Sequence, residues 1–373
     1  DPTDRNVLHA VVTESADNGV TWTHPRDITA EITPDVPKWR SRFAASGEGI
    51  QLRYGNHKGR LLQQFTMVRA SDGAFQAVTV YSDDHGASWQ AGEPVGTGMD
   101  ENKVVELSDG TVMLNSRRSD AVGGRKVALS RDGGQTYGEV TIDEVLVDPR
   151  NNASIIRAFP DAPEGSAAAK VLLFSNANNP SSRTNGTVRV SYDDGQTWPD
   201  SKVFAAGSMS YSTLTPLAKP GTYGLLYEGD GPSLRYMPVS LDWLGVLPVE
   251  VGGERQMVRA GENSVQVTLT NLVQKNRKVA VQVTPPAGWT AAALDEVELA
   301  AGETRQVTVQ LTVPRSAPPV DTELKVEVRQ AGAKASGVVP LGVEDAPLPT
   351  VTVTAPAPTV TATATATVTN NVP

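Results

Sequence analysis

The pattern Ser-x-Asp-x-Gly-x-Thr-Trp occurs in four near-copies, and that repetition limits what this chain can fold into more than any other feature. The copies lie at 15–22, 82–89, 130–137 and 191–198, with Ser88 replacing Thr in the second and Tyr137 replacing Trp in the third. Asp and Gly favour tight turns, because Asp bonds its own local backbone and Gly takes positive φ without steric cost. Strand-like runs lead into them, such as Lys126-Val-Ala-Leu-Ser130 and Thr187-Val-Arg-Val-Ser191. Each copy therefore reads as a hairpin tip, with the aromatic residue after the turn folding back as a plug into the sheet. The aspartates stand at 17, 84, 132 and 193, and intervals of 67, 48 and 61 residues suit one four-stranded blade per copy. An all-β propeller is the expected fold.

Composition narrows the chemistry. The formal charge of −9 with no basic block argues against nucleic acid as a partner. No run reaches the length of a membrane span. The absence of cysteine excludes disulfides and thiol catalysis, and His9, His24, His57 and His85 have no metal-ligand spacing, so no metal site is expected. His85 falls inside a turn copy and is expected to be exposed. Residues 1–247 carry short strands separated by Gly, Asp and Asn turns, without a long amphipathic helix. From 248 to 345 apolar and polar residues alternate in Ser264-Val-Gln-Val-Thr-Leu-Thr270, Lys278-Val-Ala-Val-Gln-Val283 and similar runs, which predicts an immunoglobulin-like sandwich serving as a spacer. Residues 346–373 contain no charge and are almost entirely Thr, Val, Ala and Pro, as an extended or disordered linker would be. Such a stalk points to a secreted or cell-surface protein.

Several segments hold residues able to do chemistry. Met99-Asp100-Glu101 begins a run that reaches Glu106 and continues to Arg117-Arg118; Asn151-Asn152, Arg183 and Ser210-Tyr211-Ser212 follow. Taken singly, each has a structural reading as a solvated charge or a half-buried hydroxyl. Neighbours on a strand face opposite ways, so if Arg117 turns to a central pocket Arg118 turns away. Glu106, beside the turn Ser108-Asp109-Gly110, is expected at the surface.

The fourfold turn is the Asp-box pattern, and the chain resembles the bacterial sialidase (neuraminidase) family, whose fold is a six-bladed β-propeller. Asp boxes occur in non-catalytic propellers too, so they speak for the fold more than for the activity. The resemblance assigns roles in family order. Glu101 and Arg117 match a Glu-Asn-x-x-x-x-Leu-x-Asp-Gly…Ser-Arg pattern as base and substrate-binding arginine. Arg183, eight residues before Ser191, matches a second carboxylate-binding arginine. Tyr211, in a Gly-Ser-x-Ser-Tyr-Ser-x-Leu setting, matches the nucleophile, and Glu228 matches a carboxylate supporting the family's first arginine. Asn151 (or Asn152) and Phe43 are candidates for the pocket wall.

These residue types suit the implied substrate. Sialic acid carries a carboxylate on its anomeric carbon, which arginine binds bidentately. That carboxylate would repel an Asp or Glu nucleophile, whereas a neutral phenol with a nearby base avoids the repulsion. Sialidases with a tyrosine nucleophile are a known exception to two-carboxylate glycosidase chemistry. The resemblance implies an exo-α-sialidase acting with retention on sialylated glycans and needing no cofactor; the alternative is a sialoside-binding or adhesion propeller without turnover. The family's first arginine, in an Arg-Ile-Pro motif, and its acid/base Asp have no match. About four blades fit in 1–247 where six are expected. The chain therefore reads as N-terminally incomplete and inactive by itself.

Overall fold

The computed structural model describes residues 8–344 apart from 34, 274 and 319. Each Asp box closes through the same hydrogen bonds. In the fourth, Ser191 Oγ donates to Asp193 Oδ1 at 2.8 Å and accepts the Gly195 amide at 2.8 Å; Asp193 also takes the Thr197 amide at 2.8 Å and hydroxyl at 2.6 Å. The other three boxes repeat this network. The fourth and fifth residues of every copy take positive φ, at 60° and 81° for Asp194 and Gly195. A β-branched residue would be strained there. The hydroxyl and amide of Thr21 and of Ser88 hold Asp17 and Asp84 ionised, with pKa values lowered to about 2.

The boxes join the third strand of a blade to its fourth. The first blade runs Trp39–Ala44, Leu61–Arg69, Phe75–Ser82 and Gln90–Ala91, with Ile50–Gln51 beside the second strand. The second is Met99–Glu106, Val112–Arg118, Gly123–Ser130 and Thr141–Asp148, and the third is Ser154–Arg157, Leu172–Ala177, Thr184–Ser191 and Asp200–Ser208. The fourth has three strands, Ser212–Pro216, Thr222–Glu228 and Leu234–Ser240. Val11–Val12 and Arg26–Asp27 pair across the first box in the same way. All strand pairings within the blades are antiparallel.

Blades stack face to face because their middle strands are apolar on both sides. Leu172–Ala177 is buried at all six positions. One core joins Leu62 and Ala77 of the first blade to Met99 and Leu114 of the second. The next joins Val105 and Met113 to Ile155 and Phe174, and a third joins Leu173 and Val188 to Leu214 and Leu225. The first strand of the second blade lies against the first strand of the third, and that strand lies against the first strand of the fourth. The first strands thus stand side by side around one axis, as in a propeller.

The aromatic plugs are not equivalent. Trp198 is 6 % exposed, stacks at 5.7 Å on Phe174, and donates its indole N–H to Asp143 at 3.1 Å. Tyr137 reaches the Thr79 hydroxyl at 2.8 Å. Trp22 departs from the expectation: it is 59 % exposed and bends over its own turn, donating to Gly19 O at 3.0 Å. The turn chemistry alone does not bury the ring; a neighbouring sheet must cover it.

The second body is a sandwich of two sheets. Val249–Gly252, Gly261–Asn271, Thr304–Val313 and Thr290–Ala291 form one. Gln256–Val258, Ala333–Val343, Asp321–Gln330, Arg277–Thr284 and Val297–Leu299 form the other. Alternation places Val265, Val267 and Leu269 against Leu324, Val326 and Val328 in a shared core. Leu247 N–H donates to Lys334 O at 2.9 Å, and Arg277 pairs with Asp242 at 3.3 Å, tying the sandwich to the propeller. The predicted linker at 346–373 lies outside the described residues.

Candidate active site

Tyr211 is pinned from three sides just before the fourth blade's first strand. Its carbonyl accepts the Glu228 amide at 2.9 Å, and the Glu228 carboxylate accepts the Tyr211 amide at 3.3 Å. The Asn151 side-chain amide donates to Ser210 O, and the Ser212 hydroxyl meets Ser175 Oγ at 2.9 Å. With its backbone so held, the phenol hydroxyl donates to Glu101 Oε1 at 2.6 Å. Residues 110 positions apart in the chain thereby meet in one short hydrogen bond.

Glu101 owes its aim to an irregular ladder. Met99 stands opposite Arg118 and Asn102 opposite Ser116, so Asp100 and Glu101 together face the single residue Arg117. Two-against-one pairing of this kind re-aims side chains. Arg117 consequently touches both carboxylates, Glu101 Oε2 at 2.6 Å and Asp100 Oδ2 at 3.4 Å. The same guanidinium nitrogen that meets Glu101 also reaches the Tyr211 oxygen at 3.2 Å. Arg118 turns the other way, to Asp120 at 3.3 Å.

Arg183 lies with its guanidinium carbon 5.4 Å from the Tyr211 ring centroid and donates to Arg150 O at 3.2 Å. Arg183 is exposed, so it stands at the mouth of the site. Asn151 is fully buried, anchoring Ser210 rather than presenting its amide at a pocket surface; Asn152 donates to Ser46 Oγ at 3.1 Å. Phe43 is 36 % exposed and stands opposite Thr66, whose hydroxyl donates to Asp100 O. It therefore sits on the face of its blade turned toward the strand that carries Glu101. Glu228 supports the Tyr211 backbone.

Charge is concentrated where the phenol sits. Burial, then the hydrogen bond and the negative charge of Glu101, push Tyr211 up to about 12, against the opposing pull of Arg117 and Arg183. The phenol thus keeps its proton at neutral pH, with an acceptor already in place to take it. Burial also raises Asp100, opposed mainly by Arg117. Among the described residues no group of His, Cys, Asp and Glu could hold a metal ion.

Glu106 is a correction to the sequence reading. It is 3 % exposed, accepts the Arg53 and Tyr54 amides at 2.9 Å, and lies 3.4 Å from Arg157. The turn after it suggested solvent; the loop of the preceding blade covers it instead. Three residues near the site were not singled out from sequence. Lys103 is buried two positions beyond Glu101, Arg125 is wholly buried against Asp148 and Asn151 O, and Arg150 receives Arg183 on its carbonyl. Their residue types carry no pattern; only Lys103, inside the Glu101 segment, could have been noticed from its neighbour.

The geometry agrees with what the chain is similar to. Residues 2–223 match the family model described as a BNR repeat-like domain, and 258–330 match the NPCBM-associated, NEW3 domain of alpha-galactosidase. A sialidase of Micromonospora viridifaciens is 56 % identical over 341 residues, covering 90 % of this chain and 51 % of that protein. An exo-alpha-sialidase of Aspergillus fumigatus is 32 % identical over 232 residues, covering 60 % of this chain and 50 % of the relative. Among solved structures, the Hadza microbial sialidase Hz136 superposes with a TM-score of 0.55 at 30 % identity, over 63 % of this chain and 44 % of that one. The chain spans about half the length of the curated relatives it matches. A match that runs through all four Asp boxes, together with relatives named as sialidases, places this chain in the bacterial sialidase family of BNR-repeat propellers.

Proposed function

We propose that the complete protein is an exo-α-sialidase that releases terminal sialic acid from glycoconjugates with retention of configuration. The observation that carries this reading is the contact of Tyr211, Glu101 and Arg117, made by side chains from two different blades. Arg117 and Arg183 bind the substrate carboxylate, each able to offer parallel N–H donors. Tyr211 attacks the anomeric carbon as Glu101 takes its proton; the bond from that carbon to the aglycone oxygen breaks, the acid/base Asp that the family resemblance implies protonates the leaving oxygen, and a tyrosyl-glycosyl intermediate forms. Water, giving its proton to the same acid/base Asp, then attacks from the face the aglycone left, and Glu101 returns the proton to the phenol as the bond to Tyr211 breaks. Asp100 and Glu228 hold Arg117 and the Tyr211 backbone in register. Glycoproteins, glycolipids and sialylated oligosaccharides are the substrates this site would accept, and a secreted or cell-surface protein would meet them.

The test compares the full-length gene product with its Tyr211→Phe variant on a fluorogenic α-sialoside, with the first-formed anomer followed by proton NMR. Wild-type turnover giving the α-anomer, falling by about 10³-fold or more in the variant, is the expected result. Full activity in the variant, or the β-anomer as first product, overturns the mechanism. Sialoside binding without turnover by the wild type would replace it with a non-catalytic binding propeller.

A further inference from the structure

The loop that joins the second blade to the third, residues 149–153, touches two functional segments at once. The Asn151 side-chain amide donates to Ser210 O, one residue before Tyr211, and Arg150 O accepts Arg183 at 3.2 Å. A carbonyl can only accept, so the Asn151 NH₂ is the end that faces Ser210. Behind the loop lies a buried ion pair, Arg125 with Asp148, whose side chains are 0 % and 3 % exposed. It grips both backbone groups of Asn151: the carbonyl accepts Arg125 at 2.9 Å, and the amide donates to Asp148 at 2.6 Å. Arg150, enclosed between Asp148 and Asn151, is held at φ +65°, which residues other than glycine seldom adopt. Arg125 is fixed in turn by Asn115 Oδ1 on the neighbouring strand. A side chain on Gly124 would collide with the Asp143 carbonyl, so glycine there lets the third and fourth strands close around the pair.

Arg125, Asp148, Glu101 and Arg117 all stand on the second blade, whereas Tyr211 leads into the fourth. Glu228 restrains Tyr211 within its own blade; Asn151 ties it to the blade that carries its base. The 2.6 Å contact between the phenol and Glu101 depends on that second tie, because it spans the two blades. For stability alone, a buried Arg–Asp pair is often no better than well-packed apolar residues. What apolar residues cannot do is hold one peptide amide and carbonyl in fixed directions.

We propose that Arg125 and Asp148 are positioning residues for the nucleophile: through Asn151 they fix the backbone before Tyr211 to the blade that bears Glu101 and Arg117. The loop they hold also presents the Arg150 carbonyl to Arg183, so the attacking phenol and a carboxylate-binding arginine are set by one support. The inference rests on the sialidase reading and adds to it what keeps the phenol at its base.

The experiment uses the full-length protein and measures kcat on a fluorogenic α-sialoside, the Kd of an unhydrolysable S-linked α-sialoside, and the thermal midpoint. The variants are Asn151→Ala, Arg125→Met, Asp148→Leu and the double Arg125→Met/Asp148→Leu. Asn151→Ala cuts only the tie to Ser210, so kcat should fall by about 10- to 100-fold while sialoside affinity stays within about threefold of wild type. The double variant removes both charges together, so its midpoint should recover much of what either single variant loses. Its kcat should nevertheless stay down, and its affinity should fall as well, because the Arg150 carbonyl is no longer fixed for Arg183. A merely structural pair would instead give activity back along with stability. Wild-type kcat in folded Asn151→Ala, an equal loss of kcat and affinity in that variant, or kcat restored together with the midpoint in the double variant overturns the proposal. If the double variant does not fold, Asn151→Ala decides alone. Failure of the sialidase reading shows separately, as a wild type that does not turn the sialoside over.

Discussion

Replacing Glu106 with Gln isolates one buried carboxylate that ties three blades together. Glu106 belongs to the second blade, receives two backbone amides from the first blade's loop at Arg53 and Tyr54, and faces Arg157 of the third. Arg157 is itself 7 % exposed and lies over the Tyr54 ring at 4.4 Å. Glutamine keeps the shape but offers one acceptor oxygen where two amides converge, and it turns an NH₂ toward a donor. It also strands the Arg157 guanidinium without its counter-charge. Removing one partner of a buried pair costs about 3–5 kcal/mol. At roughly 2–4 °C per kcal/mol for a protein of this size class, the melting midpoint should fall by about 10 °C. Burial outweighs the two amides and Arg157 and raises the Glu106 pKa, so the folded wild type takes up its proton more readily than the unfolded chain and gains stability as pH falls; the penalty of the non-titrating Gln variant should therefore grow toward acid pH. Thermal unfolding by circular dichroism would be run on Glu106→Gln, Arg157→Met and the double variant. The double variant should cost clearly less than the sum of the singles, since it removes both charges together. A Glu106→Gln midpoint within the range of about 0.5 kcal/mol typical of surface changes would refute the clamp. Strict additivity would refute its coupling to Arg157.

Two further outcomes follow from the site and the boxes. Glu101→Gln removes the charge that helps hold the Tyr211 proton, so the phenol should titrate below its wild-type value of about 12, with the sign read from tyrosinate absorbance in the difference against Tyr211→Phe. An upward or absent shift would mean that burial alone sets the phenol. Trp198→Ala should cost about 3–5 kcal/mol in chemical denaturation, because it empties a packed interface, whereas Trp22→Ala should cost under about 1 kcal/mol. Equal losses would show that the box aromatic acts through its turn and not through the sheet behind it.

Local chemistry written in the sequence accounts for the boxes and the strands. The Ser, Asp, Gly and Thr (Ser88 in the second) of each copy satisfy one another within eight residues, so the turn is closed by its own letters. Period-2 alternation fixed the sandwich strands for the same reason: each residue's face follows from its neighbour's. The resemblance then brought forward Tyr211, Glu101, Arg117 and Arg183, whose side chains the fold gathers around one phenol. Other properties depend on contacts that no local pattern encodes. Trp22 and Trp198 share a motif, yet one is exposed and the other buried, because a neighbouring sheet covers only the second. Glu106 sits beside a surface turn but is sealed by a loop about fifty residues away, and Asn151 became an anchor behind the site once Arg125 and Ser210 closed around it. The irregular ladder that points both Asp100 and Glu101 at Arg117 arises only when two strands pair out of step. Sequence by itself determined the turns, the strand faces and the residue types of the site. Burial, the charge balance around Tyr211 and the place of Lys103 were decided by the packing of one blade on the next, since each depends on atoms brought together from distant parts of the chain.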